Sequence, residues 1–230
     1  MMRTIRILAT IYLCLLSGAH QIAVADENTD PLAFFLNQLE SYQADFKQTL
    51  SNEQGEALET STGKVYMQNP GRYRWEYEQP YVQLLITDSE TLWIYDKDLV
   101  QITIKNVAGA IDNTPAAIIS GQQNLTENFV VVNMGVIEGF DWVELTPRDI
   151  ENQYRSIRLG FDKSNLIMMI LNDNLGQITR IDFLNPVRNQ RFGGPLFTFE
   201  IPAGVDVIDE RQLEKPDKSV TDPISETVKP

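Results

Sequence analysis

The stretch RYRWEYEQ, residues 72–79, decides how this chain folds. Its rings, Tyr73, Trp75 and Tyr77, alternate with Arg72, Arg74, Glu76 and Glu78, and successive side chains of an extended strand point to opposite faces. One face is therefore an aromatic wall, and the other is charged and wet. A sheet built this way has an apolar face to hide. It can do so by closing into a barrel or by laying helices over that face.

The same texture continues on both sides. TGKVYMQ (62–68) comes before, and VQLLITD (82–88), TLWIYDKD (91–98) and LVQITI (99–104) follow. Between them stand Asn69-Pro70-Gly71, Gln79-Pro80, Asp88-Ser89-Glu90 and Lys97-Asp98. These are turn formers at short, regular spacing, which predicts an antiparallel meander. Strands resume at FVVVNM (129–134), FDWVELTP (140–147), YRSIRLGFD (154–162), NLIMMILND (165–173) and QITRIDFLN (177–185). LFTFEIP (196–202) and VDVID (205–209) are expected as a closing pair. The total is about ten to twelve strands and two or three short helices.

The helices bracket the meander. Asp30 and Pro31 read as a cap and a first turn, and Leu32, Phe35, Leu36 and Leu39 recur at helical spacing, so a helix is expected through LAFFLNQLESY to Tyr42. Between strands, Asn113-Thr114-Pro115 opens a short apolar helix, Ala116 to Ser120, that Gly121 ends. These two helices are the natural covers for the aromatic face. They are small beside a large curved sheet, so a cavity between sheet and cover is expected.

Residues 1–25 have the three parts of a secretory signal: Arg3 and Arg6, the apolar run Ile7 to Leu16, and Ala23-Val24-Ala25. Cleavage is expected after Ala25. Cys14 is preceded by Leu13 rather than by a small residue, so it belongs to the apolar run and is not a lipidation site. Cleavage removes Cys14 and His20, the only cysteine and the only histidine. The mature chain then has no thiol nucleophile, no disulfide and no histidine base, and it lacks the residues of nearly all structural zinc sites. It has 17 basic and 32 acidic residues, a net charge of −15, which repels nucleic acid and anionic lipid headgroups. Residues 26–211 suit one domain. Residues 212–230 carry Pro216, Pro223 and Pro230, many charges and few large apolar groups, and read as a flexible tail.

In this order, several stretches resemble the periplasmic outer-membrane lipoprotein carrier family, LolA. They are LNQLESYQADFKQ, NPGRYRWEYEQP, LLITDSETLWIYDKDLVQITI, DNTPAAIIS, WVELTP and FTFEIPAGVDVID, spanning nearly the whole mature length. The resemblance implies a mainly β fold: an unclosed antiparallel barrel whose apolar concave face is covered by a short helical lid. It implies a monomeric periplasmic carrier, not an enzyme, working without a cofactor. Its cargo would be triacylated lipoproteins, taken from an ATP-driven extractor in the inner membrane and passed to a lipoprotein acceptor on the outer membrane. By position, Tyr73, Trp75 and Tyr77 would line the concave sheet. Leu36, Leu39 and Tyr42 on the first helix, with Ala117, Ile118 and Ile119 on the lid, would face them. Ordinary core packing calls for the same side chains at each position. The chain departs from the family at Asn69, where many members have an arginine associated with holding the lid shut, so that role is not carried over.

Competing readings are a sensor or adaptor on the same fold, a carboxylate-only enzyme, and the outer-membrane acceptor. The first usually needs another domain, and the tail is too short for one. The second needs facing acids where this sequence places aromatic and aliphatic residues. The third needs the lipidation context that Cys14 lacks. Asn172-Asp173-Asn174-Leu175-Gly176 has the residue types of a calcium loop but not its spacing, and reads as a hairpin turn.

Overall fold

The computed structural model describes residues 30–107, 119, 125–193 and 195–211. The signal segment, the tail from Gln212 onward, Ala117 and Ile118 lie outside them. Helix α1, Pro31–Asn37, starts as its sequence dictates. The Asp30 carboxylate accepts from the backbone N–H of Leu32 at 2.9 Å and of Ala33 at 3.2 Å, and Pro31 occupies the first turn, where its missing N–H costs nothing.

The helix ends at Asn37, five residues short of the expected end. Residues Ser41–Ser51 are not helical but form an eleven-residue strand, β1. The spacing of Leu39, Tyr42 and Phe46 fits a helical stripe, but Tyr42, Ala44 and Phe46 also fit strand alternation, and all three are buried on one face of β1. The strand reading wins because β1 is hydrogen-bonded along both its edges, to β2 (Ala57–Gln68) and β11 (Ile178–Arg188). Asparagines hold the elbow between α1 and β1. Asn69 Nδ2 donates to the Leu39 carbonyl at 2.7 Å. Asn189 Nδ2 donates to the Gln38 carbonyl while its Oδ1 accepts from the Glu40 N–H, both at 2.9 Å.

From β2 the chain forms the expected meander through β3 (Arg72–Gln79), β4 (Gln83–Thr87), β5 (Thr91–Asp96) and β6 (Gln101–Asn106). After helix α2 (Leu125–Asn128) come β7 (Phe129–Ile137), β8 (Phe140–Pro147), β9 (Tyr154–Asp162) and β10 (Asn165–Asp173), which lead into β11. The predicted turn between β10 and β11 is a hairpin. The Asp173 carboxylate accepts from the Leu175 and Gln177 N–H groups, and Gly176 takes the positive φ of +84° that closes it.

Among the described residues twelve strands, the last being β12 (Asp206–Asp209), form one sheet in the order β12-β6-β5-β4-β3-β2-β1-β11-β10-β9-β8-β7. Its two edges, β7 and β12, are not paired with each other among the described residues, so the barrel is unclosed. Its pairings are antiparallel except one: β12 (Asp206–Asp209) runs parallel to β6. LFTFEIP is not the partner of β12 and forms no strand. Phe192 and Phe199 of this connection instead lie against Tyr66, Trp93 and Tyr95 on the outer face of β2 and β5, and Phe197 packs on Phe192, with ring centroids 5.8–6.4 Å apart. With Ile86 and Ile104 buried beside them, they form a second, smaller apolar layer. The outer face of β3 is therefore less wet than its charges suggest. Arg74 and Glu76 pair with each other at only 22% and 26% side-chain exposure, and Arg74 also donates to the Leu196 carbonyl of the crossing connection.

The main core lies on the opposite, inner face. Tyr42, Phe46, Val65, Tyr73 and Trp75 from β1–β3 share one buried cluster with Leu145, Ile157, Phe161, Met169 and Ile181 from β8–β11. Leu32 and Phe35 of α1 join it. The connection between Asn106 and Phe129 links the strand beside one edge of the sheet to the strand at the other. Its described apolar members, Val107, Ile119 and Leu125, are all buried in that same cluster.

Candidate functional site

The aromatic wall predicted from residues 72–79 exists and extends further than β3. Tyr73, Trp75 and Tyr77 face inward, opposite Met67, Val65 and Gly63 of β2 in register. Phe46 of β1 packs on Trp75 with centroids 5.2 Å apart and stands edge-on to Tyr77 at 5.1 Å. From Trp75 the rings continue through Phe183 at 6.1 Å to Tyr42 at 5.9 Å, then to Phe35 at 5.9 Å and Phe161 at 5.6 Å. One continuous string of rings thus runs from helix α1 to the tip-proximal half of β3, with mostly edge-on or tilted contacts, the geometries rings prefer.

Gly63 makes the middle of this string possible. A Cβ there would lie 1.8 Å from the Glu76 carbonyl oxygen and 2.8 Å from Phe46 Cε1. The pairing of β2 with β3 shifts register between Thr62 and Gly63, a bulge that brings the two backbones together and bends the sheet. Only the absence of a side chain lets Phe46 lie across this point and reach Trp75 and Tyr77.

The polar atoms of the wall are mostly satisfied locally. The Tyr42 hydroxyl donates to the Leu166 carbonyl at 2.7 Å, and the Tyr77 hydroxyl donates to Gln48 Oε1 at 3.1 Å. Burial pushes the Tyr77 phenol up to about 12, because its ionised form would have little water around it. Burial raises Tyr42 further still. At one end of the string the Arg188 guanidinium lies over the Phe35 ring at 5.8 Å and donates to the Ser164 carbonyl at 2.6 Å. The described part of this face is built mainly of rings and aliphatic side chains. It offers apolar area, shape and a few hydroxyls.

Most of the residues singled out from the sequence come together here, by a different route in two cases. Tyr73 and Trp75 are buried in the cluster, and Tyr77 packs against it. Leu36 is on α1 and half-buried against the core. Leu39 and Tyr42 are buried, but Leu39 sits in the elbow after α1 and Tyr42 on β1, not on the helix. Ile119 is fully buried in the cluster, while Ala117 and Ile118 fall outside the described residues. Sequence reasoning missed Phe35, Phe46, Phe161 and Phe183. Phe46 and Phe183 sit directly opposite each other in the β1–β11 register, and Phe46 stands between Asp45 and Lys47, a signal that was present but unassigned in β1. Asn69, where the family resemblance leads one to expect an arginine, is an elbow-holding residue in this structure.

An open, almost wholly antiparallel sheet with one ring-lined face defines the class of unclosed β-barrels. An uncharacterized conserved protein from Thermus thermophilus has this fold, with a TM-score of 0.52 at 12% identity over 78% of this chain and 96% of that one. Sequence comparison is more specific. The pattern of the family described as outer membrane lipoprotein carrier protein LolA matches residues 37–200. The chain is 37% identical over 180 residues to the outer-membrane lipoprotein carrier protein of Nitrosospira multiformis, covering 78% of this chain and 87% of that one. It is 38% identical over 180 residues to the protein of that name in Methylococcus capsulatus, covering 78% and 86%. This chain belongs to the LolA family of outer membrane lipoprotein carriers.

Proposed function

We propose that this protein is a periplasmic carrier that shields the acyl chains of lipoproteins against its inner face and moves them from the inner to the outer membrane. The observation that carries the proposal is the combination of family membership with a ring-lined inner face under an edge-to-edge connection. The energetics of the task suit such a face. Three acyl chains carry on the order of 45 methylenes, and at about 0.8 kcal/mol each their exposure to water costs roughly 35 kcal/mol. A carrier has to hide that surface and still release it without fuel. A cover that must be displaced on loading lowers the net affinity to a reversible level.

In this reading the signal is cleaved after Ala25, and the mature protein is free in the periplasm and works without catalysis. Leu36, Leu39, Tyr42, Tyr73, Trp75, Tyr77, Ala117, Ile118 and Ile119 contact the cargo chains. Cargo arrives from an ATP-driven inner-membrane extractor and leaves to an outer-membrane lipoprotein acceptor. The test mixes residues 26–230 with membrane vesicles that contain a labelled triacylated lipoprotein, the extractor and ATP. The expected result is a soluble one-to-one complex, lost in Ile119→Glu. No release, while a known carrier releases cargo in parallel, overturns the transport function and moves the sensor reading to first place.

A further inference from the structure

The indole N–H of Trp75 has no hydrogen-bond partner among the described residues. The residue is 2% exposed, its Nε1 is out of reach of water, and no acceptor lies near it. Buried donors are almost always satisfied, and leaving one unmet costs on the order of 1–3 kcal/mol. Several ring donors of this sheet follow that rule. Tyr42 and Tyr77 both donate, and the indole of Trp142 donates to the Ile137 carbonyl at 3.2 Å. The unpaired Nε of Arg188 is different in kind, because the same guanidinium already donates through another nitrogen to the Ser164 carbonyl. Trp75 has one polar atom, and it is idle.

The surroundings explain why no acceptor is found among the described residues. Trp75 is flanked in register by Val65 on β2 and Leu85 on β4, and is packed by the rings of Phe46, Tyr77 and Phe183. These side chains supply apolar surface but no free carbonyl or carboxylate. A phenylalanine would fill the wall without the cost of a stranded donor, so a use for the N–H lies with something that enters. Of the groups on an acylated cargo, the ester and amide carbonyls that join its chains to the head are the acceptors that travel with the apolar part.

Resting on the carrier reading, we infer that Trp75 Nε1 is a recognition donor for a carbonyl that joins an acyl chain to the lipoprotein head. The site takes acyl esters or amides and disfavours plain alkyl chains of the same length. In the unloaded protein the donor is sealed and unpaired; on loading it acquires its acceptor. Part of the binding free energy thus comes from repairing a defect in the empty state, which gives selectivity for acylated cargo over other apolar matter.

The test is a cycle of two proteins and two ligands. The ligands are a peptide bearing an S-diacylglyceryl cysteine with ester-linked chains and its dialkyl ether counterpart, which lacks those carbonyls. The proteins are the mature chain and Trp75→Phe, which keeps a ring but removes the donor. The wild type is expected to bind the ester about fivefold more tightly than the ether, the size of one net hydrogen bond, and Trp75→Phe to bind both alike. With 15N-labelled tryptophan, the indole resonance missing in Trp75→Phe should move downfield with the ester and not with the ether, a readout that stands even if the variant folds poorly. Equal affinities in the wild type with an unmoved resonance overturn the inference and leave the carrier reading intact. Failure of both ligands to bind overturns the carrier reading, and this inference with it.

Discussion

Gly63→Ala is the substitution that most directly probes how the inner wall is built. The added Cβ meets the Glu76 carbonyl oxygen at 1.8 Å, where an ordinary contact is 3.4 Å or more, so β2 and β3 must part by about 1.6 Å at a point where interiors are close-packed. One or two ladder hydrogen bonds around the Gly63–Tyr77 pair are lost or stretched, at about 1 kcal/mol each. Phe46, 2.8 Å from the new atom, must also swing, loosening its contacts with Trp75 and Tyr77. Overpacking of this kind typically costs about 1–3 kcal/mol, and each ring pair about 0.5–1.5 kcal/mol. The expected total is about 3–5 kcal/mol. With a urea slope of about 2 kcal/mol per molar, this lowers the unfolding midpoint by on the order of 2 M. The control is Gly139→Ala. That glycine has φ +86° but nothing within 4 Å of the added atom, so only backbone strain of about 1–2 kcal/mol is expected. Equilibrium urea unfolding followed by tryptophan fluorescence measures both. If Gly63→Ala costs no more than Gly139→Ala, the close approach of the two strands does not hold the wall in place, and the reasoning is refuted.

Stability should fall in alkali. A phenol whose native pKa is raised keeps its proton when folded and releases it when unfolded, so the stabilisation is complete below about pH 10 and is lost as pH rises toward the native value. Burial raises Tyr42 and Tyr77 most, and Tyr66 and Tyr154 as well, so unfolding free energy should drop between pH 10 and 11 by about 1 kcal/mol for each strongly raised tyrosine. Tyr42→Phe should remove that tyrosine's share of the slope while costing about 1–2 kcal/mol at neutral pH, because the Leu166 carbonyl loses its donor. An unchanged slope refutes the assignment. Asp30→Ala removes the cap of α1 and should cost about 1 kcal/mol in thermal unfolding, with no effect on the far sheet edge as followed by amide exchange. Ile119→Glu puts a carboxylate into the shared cluster, where an unpaired charge is costly. The expected outcome is increased binding of a hydrophobic dye with the strand circular-dichroism signal retained, because the sheet does not depend on the crossing connection for its hydrogen bonds; loss of the strand signal would contradict that.

Alternation made the meander from β2 to β6 and the strands β7 to β11 legible, because each has turn formers at its ends and one apolar side. It failed at β1. There Tyr42 and Phe46 satisfy both a helical and a strand period, and the choice is made by partners more than a hundred residues away, such as Phe183, which one strand's own sequence cannot reveal. It failed again at LFTFEIP, whose alternating rings suit a strand but in fact fill gaps on the outer face of β2 and β5. Of the inner wall, Tyr73, Trp75 and Tyr77 were readable from eight residues. The contribution of Gly63 was not, since a glycine required by a neighbouring backbone looks the same in sequence as one required by a turn. Trp75's idle donor was equally hidden, because an unmet hydrogen bond is a property of what surrounds a side chain.

A sheet that does not close has two ends, and they are protected differently against self-association. One end is capped by β12, short and flanked by Asp206 and Asp209. The other is β7, nine residues from Phe129 to Ile137 without a single charged side chain, with Val130, Val132 and Val136 exposed. A bare, valine-rich strand is a template on which another copy can add its own. The described protection is a bulge between Asn133 and Gly135, which breaks the regular ladder midway, and the net charge of −13 on the whole chain, which keeps copies apart. The second defence depends on ionic strength. The screening length falls from about 8 Å at physiological salt to about 3 Å at 1 M, so in concentrated salt this edge should self-associate more readily.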